Sequence, residues 1–201
     1  MPIFLLIRHG DTDYVEEVLA GRIDAPLTDY GRQQARKLAE VLSQQPIKAI
    51  YSSPMCRSVE TAQPLADAAH LFLEMDPMLI QVDFGEWQGL SFDELEARED
   101  WQTFRNDPSS IGCPGGETMS AVRHRVLLGL ERIASSYEDD DLVAIFAHGS
   151  IIRHAITFFL DMPLSALNRV QIDPASVSAL QVKDGKAVLQ SLNWHYPPET
   201  V

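Results

Sequence analysis

Two cysteines in 201 residues exclude several chemistries at once. Cys56 and Cys113 make neither a C-x-x-C pair nor a zinc-ligand spacing, and neither is followed six residues on by arginine, as a cysteine-dependent phosphatase loop requires. Thiols this sparse fit a reducing, cytoplasmic compartment better than a disulfide framework. No apolar run approaches the roughly 18–20 residues that span a bilayer. The opening MPIFLLIRHG has no basic leader region or small-residue cleavage site, so a signal peptide is not expected. Basic residues are scarce: 16 Lys and Arg stand against 29 Asp and Glu, a net charge of −13. That field disfavours nucleic acid and anionic membranes as partners. It leaves room for a phosphorylated small molecule held by a few local arginines. Repeats and low-complexity segments are also missing.

What is present suffices for a single domain over 1–201 with its own core. Ile3–Ile7, Ile47–Tyr51 and Leu142–Ala147 are short, continuously apolar, and each followed by a helix-like segment. That pattern predicts strands of a mostly parallel sheet covered on both faces, an α/β fold. Thr28 caps a helix with Ala35, Leu38, Ala39 and Leu42 on one stripe. Pro54 opens a second helix carrying Met55, Val59, Ala62 and Ala66. Ser91 and Glu94 make a capping box. Val122, Val126, Leu130 and Ile133 mark a helix ended by the acidic run Glu138–Asp141, and Ile151 to Phe159 mark the last long one. Val177–Val182 and Ala187–Leu192 flank Lys183-Asp184-Gly185-Lys186, an antiparallel hairpin near the C-terminus. The stretch at about 76–117, rich in Gly and Pro, reads as a lid-like insertion over one edge.

Ligands of open parallel sheets bind at the carboxyl ends of the strands. There the first run ends in Arg8-His9-Gly10, the third in His148-Gly149-Ser150, and the second leads through Ser52-Ser53-Pro54 to Arg57. Each His-Gly pair alone also fits a capped turn. Together, two imidazoles and two guanidiniums make an anion site, and the guanidinium fork fits phosphate oxygens. Phosphoryl transfer to His9 follows as the reading. No carboxylate or histidine stands at ligand spacing near His9, and His154, six helical residues after His148, is rotated about 600° from it, so no metal is expected.

IRHGDT, GRIDAPLTDYGRQQA, IYSSPMCRSVETA, DFGEWQG, PGGET and AHGSIIRH run in this order over nearly the whole chain. The series resembles the histidine phosphatase superfamily, also called the phosphoglycerate mutase-like family. The compact insertion and QIDPASVSAL are similar to its small phosphatase branch. The resemblance implies a three-layer α-β-α domain and a phosphomonoesterase that hydrolyses small-molecule phosphate esters through a phosphohistidine at His9. It implies Arg8, Arg57 and His148 as phosphate ligands, Gly21 on a loop approaching the phosphate from the other side, and no metal or organic cofactor.

Two departures bear on activity. Val15 stands where many members have asparagine. The family's proton donor, a glutamate in a pattern like L-x-E-x-x-F-G, is Gln81 here, in LIQVDFGEWQG. An amide bonds a leaving oxygen without protonating it, and loss of a general acid costs roughly 10²–10⁴-fold. Asp83, two residues along an extended segment, shares a face with 81 and is the provisional donor. Glu16, Glu17 and Glu117 are further carboxylates near the motifs. Without a donor, the site favours leaving groups that need little protonation, or serves as a catalytically impaired phospho-ligand-binding protein. Phosphoglycerate mutase-type transfer is the remaining alternative. Phe84, Trp87, Trp101 and Phe104 either select an apolar substrate part or form the insertion's own small core.

Overall fold

A computed structural model describes residues 1–14, 18–183 and 186–195 of the chain. Three strands, β1 (Ile3–Arg8), β2 (Ile47–Ser52) and β4 (Leu142–Ala147), fall on the three apolar runs. A short β3 (Leu73–Met75), β5 (Val177–Lys183) and β6 (Lys186–Trp194) complete one sheet in the order β3-β2-β4-β1-β5-β6. β1, β2, β3 and β4 are mutually parallel, while β5 runs antiparallel to β1 and β6 to β5. The hairpin turn Asp184-Gly185 lies outside the described residues.

The apolar runs are continuous because both faces are buried. Leu5, Ile7, Ile50, Ala144 and Phe146 pack against α1 (Asp29–Leu42) and α2 (Cys56–Ala69). Their neighbours Phe4, Leu6, Tyr51, Val143 and Ile145 pack against α5 (Met119–Ala134) and α6 (Gly149–Phe159). Successive strand side chains feed opposite layers, which makes the three-layer sandwich. Truncating a filled core position such as Phe146 to Ala would cost about 3–5 kcal/mol. No helix among the described residues is long and apolar enough to cross a membrane.

Two helix boundaries differ from expectation. α2 starts at Cys56 with Met55 as its cap residue, so Pro54 lies outside it; Asp24, from a remote loop, accepts from the Cys56 N–H at 3.0 Å. α5 stops at Ala134, capped by Ser135, before the acidic run begins. Between β3 and α5 the chain forms two single 3-10 turns and the short helices α3 (Phe92–Glu96) and α4 (Glu99–Asn106). The Ser91–Glu94 capping box starts α3. Trp87, Trp101 and Phe104 contact one another here, with ring centroids 5.0–5.7 Å apart.

Candidate active site

β1 and β4 are neighbours, as are β4 and β2, so the three strand ends converge. A cavity of about 410 Å³ opens there, with Arg8, His9, Arg57 and Gly149 among its lining residues. The turn after β1 has no spare room. A Cβ on Gly10 would meet Gly31 O at 2.9 Å, and one on Gly31 would meet Asp11 O at 2.3 Å. Only glycine at both places lets the turn rest on the start of α1, where Thr28 Oγ1 donates to Asp11 at 2.8 Å.

His9 is buried, and its Nδ1 lies 2.8 Å from the Gly10 carbonyl. A carbonyl can only accept, so Nδ1 carries the proton and the Nε2 lone pair is free. Burial first, then Arg8 and Arg57, holds its pKa well below 6.5, so the ring is neutral at pH 7. His148 is fully buried at the cap position of α6, and its side chain makes no cap bond. Arg57 Nε donates to its Nδ1 at 3.4 Å, so the proton is on Nε2, which donates to Ser53 Oγ at 2.8 Å. Burial and the adjacent His9 and Arg57 also keep this ring neutral.

The arginines are placed by backbone carbonyls. Arg57, 3% exposed, donates from Nη2 to Gly21 O at 2.7 Å and from Nη1 to Ile23 O at 2.9 Å. Arg8 donates from Nη1 to Ile172 O at 2.6 Å, while its buried Nε has no partner among the described residues. Burial, then repulsion from Arg153, lowers the Arg8 pKa to about 10, still leaving it cationic. An unpaired guanidinium edge beside a neutral imidazole suits an incoming anion.

Gln81 lines the cavity, its Oε1 taken by the Val82 N–H at 2.9 Å. Asp83 is not among the lining residues. Its Oδ1 accepts from the Gly85 N–H at 3.0 Å, where the chain turns with φ of 54°, and its Oδ2 lies 3.5 Å from Arg22. Glu86 is exposed. Glu117 is also outside the wall: Arg22, Arg125 and the Asp83 N–H hold its carboxylate, and these partners outweigh burial to lower its pKa. Val15, Glu16 and Glu17 lie outside the described residues.

Several contributors have no local signature. Ser53 fixes the His148 tautomer, and Thr61 Oγ1 accepts from the Gly10 N–H at 2.9 Å while donating to Arg57 O at 2.6 Å. Arg22 Nε donates to Gln81 O at 3.0 Å, tying the Gly21 loop to the segment before α5. Arg153 and His154 line the cavity as well, with Phe84, Phe92, Trp101 and Phe104 supplying aromatic wall.

A family model described as histidine phosphatase superfamily (branch 1) matches residues 4–195. Phosphoserine phosphatase 1 of Hydrogenobacter thermophilus is 28% identical over 94% of this chain and 90% of that protein. Glucosyl-3-phosphoglycerate phosphatase of Mycobacterium tuberculosis is 32% identical over 80% of this chain and 76% of its own length. Among solved structures, phosphoserine phosphatase of Entamoeba histolytica in complex with 3-phosphoglyceric acid matches with a TM-score of 0.84 at 26% identity, covering 96% of this chain and 98% of that one.

Proposed function

Because the chain belongs to the histidine phosphatase superfamily, and is a phosphoric monoester hydrolase like its named relatives, we propose that it cleaves small phosphate esters in two displacements at His9. The observation that carries this is the His9 tautomer: Nδ1 is committed to Gly10 O, which leaves the Nε2 lone pair unused on a ring that lines a cavity shared with Arg8 and Arg57.

In the first displacement Nε2 attacks phosphorus in line, the ester P–O bond breaks, and the leaving oxygen departs with the bond's electron pair. In the second, water attacks the phosphohistidine, the P–N bond breaks, and inorganic phosphate leaves with Nε2 restored. Arg8 and Arg57 neutralise the non-bridging oxygens, which is the larger part of such catalysis. His148 joins them as a ligand once the bound dianion favours a second proton on its ring. Gln81 can bond the leaving oxygen but supplies no proton. Asp83, with its carboxylate held at Gly85 and near Arg22 and absent from the wall, is not the donor in this reading. Aryl esters, whose leaving groups are stable as anions, are therefore the better substrates.

The partner in this reading is a small phosphorylated molecule, in a cytoplasmic setting consistent with the two free cysteines. The test is phosphate release from an aryl and an alkyl phosphate by the wild type and His9→Ala. Release from both, faster from the aryl ester and abolished by the substitution, supports it. No His9-dependent release from either ester overturns it. Migration of phosphate between hydroxyls of one sugar acid, faster than release, would instead indicate a mutase.

A further inference from the structure

Among the described residues, the Arg8 guanidinium has one hydrogen-bond partner, the Ile172 carbonyl, which accepts from Nη1 at 2.6 Å. Its Cδ and Nε pass close to Gly149, where an added Cβ would lie 3.6 Å from both. The direction of Arg8 therefore depends on what holds the Ile172–Asp173 peptide. Residues 170–176, which carry it, belong to no helix or strand.

Asn193, near the end of β6, holds the other edge of that peptide. The Asp173 N–H donates to Asn193 Oδ1 at 2.7 Å. A trans peptide is planar, with its C=O and N–H pointing to opposite sides. Asn193 and Arg8 thus hold one rigid plate from its two edges. The Asn193 amide also reaches the Asp173 side chain: Nδ2 donates to Oδ2 at 2.6 Å, while Gln171 Nε2 donates to Oδ1 at 2.9 Å. Turned over, the amide would set a donor against the N–H and an oxygen against the carboxylate, so one orientation fits.

The backbone of Asn193 is bent to this purpose. Its φ of 53° lies in the left-handed region, which strands avoid and asparagine tolerates. Val177 pairs with Trp194 and Ala179 with Ser191, so Leu192 and Asn193 stand together opposite Ser178. An extra residue of this kind re-aims a side chain. The Asn193 N–H is anchored on the buried Ser178 Oγ at 3.0 Å.

We propose that Asn193 is a positioning residue for Arg8: through the Ile172–Asp173 peptide it fixes the direction in which the guanidinium meets the phosphoryl group. The inference rests on the phosphomonoesterase reading above and adds to it a residue on the edge strand, two strands from β1. Asn193 touches no reacting atom. Its bond to the N–H polarises the peptide and makes the carbonyl a better acceptor for Arg8. The Asp173 carboxylate that it steadies opposes burial and Arg153, which lower the Arg8 pKa. Without the amide the plate can rotate, and Arg8 keeps its charge but loses its direction.

The test is Asn193→Gly, which keeps the backbone conformation and deletes the amide. Calorimetric affinity for inorganic phosphate and KM for phenyl phosphate do not depend on the folded fraction. Affinity should weaken about tenfold and KM rise, the scale of one hydrogen bond to a charged group. In an Arg8→Ala background the same substitution should change affinity by less than about twofold, because the residue it acts through is gone. Asn193→Asp, which sets two carboxylates together, should also weaken binding. Combining it with Asp173→Asn again faces a donor with an acceptor, and should recover much of the loss. Unchanged affinity and KM in Asn193→Gly, with only a lower urea midpoint, overturns the proposal. So does an equal loss in the Arg8→Ala background, or an exchange that recovers nothing. If the wild type neither hydrolyses the ester nor binds phosphate, the hydrolase reading fails separately. Magnetic resonance of the Arg8 guanidinium, assigned with Arg8→Lys, then reads its direction without a ligand. Its Nη protons, held apart by the bond to Ile172, should merge into one averaged signal in Asn193→Gly; signals left as in the wild type overturn the proposal.

Discussion

His9 and His148 meet edge to face, with ring centroids 5.2 Å apart and planes at 62°, and they carry their protons on opposite nitrogens. Gly10 O takes the Nδ1 proton of the first and Ser53 the Nε2 proton of the second. Neither ring can therefore lend its proton to the other. The pair presents one free lone pair, His9 Nε2, and one Arg57-bonded nitrogen, His148 Nδ1. Two adjacent cations would repel, and burial forbids both; the tautomers make the neutral pair asymmetric and so directional.

Ser53→Ala removes the acceptor that fixes the His148 tautomer and frees the ring to flip its proton to Nδ1. Arg57 Nε then faces an N–H instead of a lone pair. We expect kcat/KM to fall about tenfold, the value of one buried hydrogen bond, with KM for phosphate esters rising. An unchanged KM for an aryl phosphate would separate Ser53 from phosphate binding.

Gln81→Glu places a carboxylic acid in the cavity wall, and the rate on an alkyl phosphate should rise by about tenfold or more, with little gain on an aryl phosphate. Asp83→Asn should leave the ratio of alkyl to aryl rates alone. Its cost is structural, about 1 kcal/mol at the Gly85 turn, readable as a lower urea midpoint. A selective loss on the alkyl ester would make Asp83 the proton donor.

His154 gives the stability curve a sign. Its folded pKa of about 3 lies below the ordinary 6.5, chiefly because of burial. Below pH 6.5 the unfolded chain takes up a proton that the folded one refuses, so stability is lost as pH falls from there. Between pH 7 and pH 5 this single residue costs about 2 kcal/mol. Urea unfolding at the two pH values should show the drop shrink by that amount in His154→Leu. A drop of the same size would mean the ring is already protonated in the fold.

The candidate-site residues legible in the sequence are those that sit at strand ends. Arg8, His9 and His148 terminate apolar runs, and Arg57 follows β2 within a turn, so the rule for open sheets collects them without coordinates. β3 escaped because it is three residues long at an edge, with two of them exposed, and has no periodicity to read. Ser53, Arg22 and His154 escaped for another reason. Their partners or their cavity come from elements 95 residues away for Ser53 and His148, and 59 for Arg22 and Gln81. Asp83 illustrates the limit of strand logic. Two residues from Gln81 puts it on the same side of an extended chain, but the positive φ at Gly85 draws its carboxylate into a turn instead.

The Gly21 loop holds Arg57 through two carbonyls, yet it belongs to no helix or strand and is itself held by the isolated bridge Val18–Ser91, by backbone bonds of Leu19 to Gly89 and Leu90, and by Arg22. Segments of that kind open at a fraction of the free energy that unfolds a sheet. Heating should therefore slacken the grip on phosphate while the strands are still intact. Activity measured at rising temperature is expected to disappear several degrees before the far-ultraviolet circular dichroism changes. Saturating inorganic phosphate, if it binds only the folded site, should bring the two curves together.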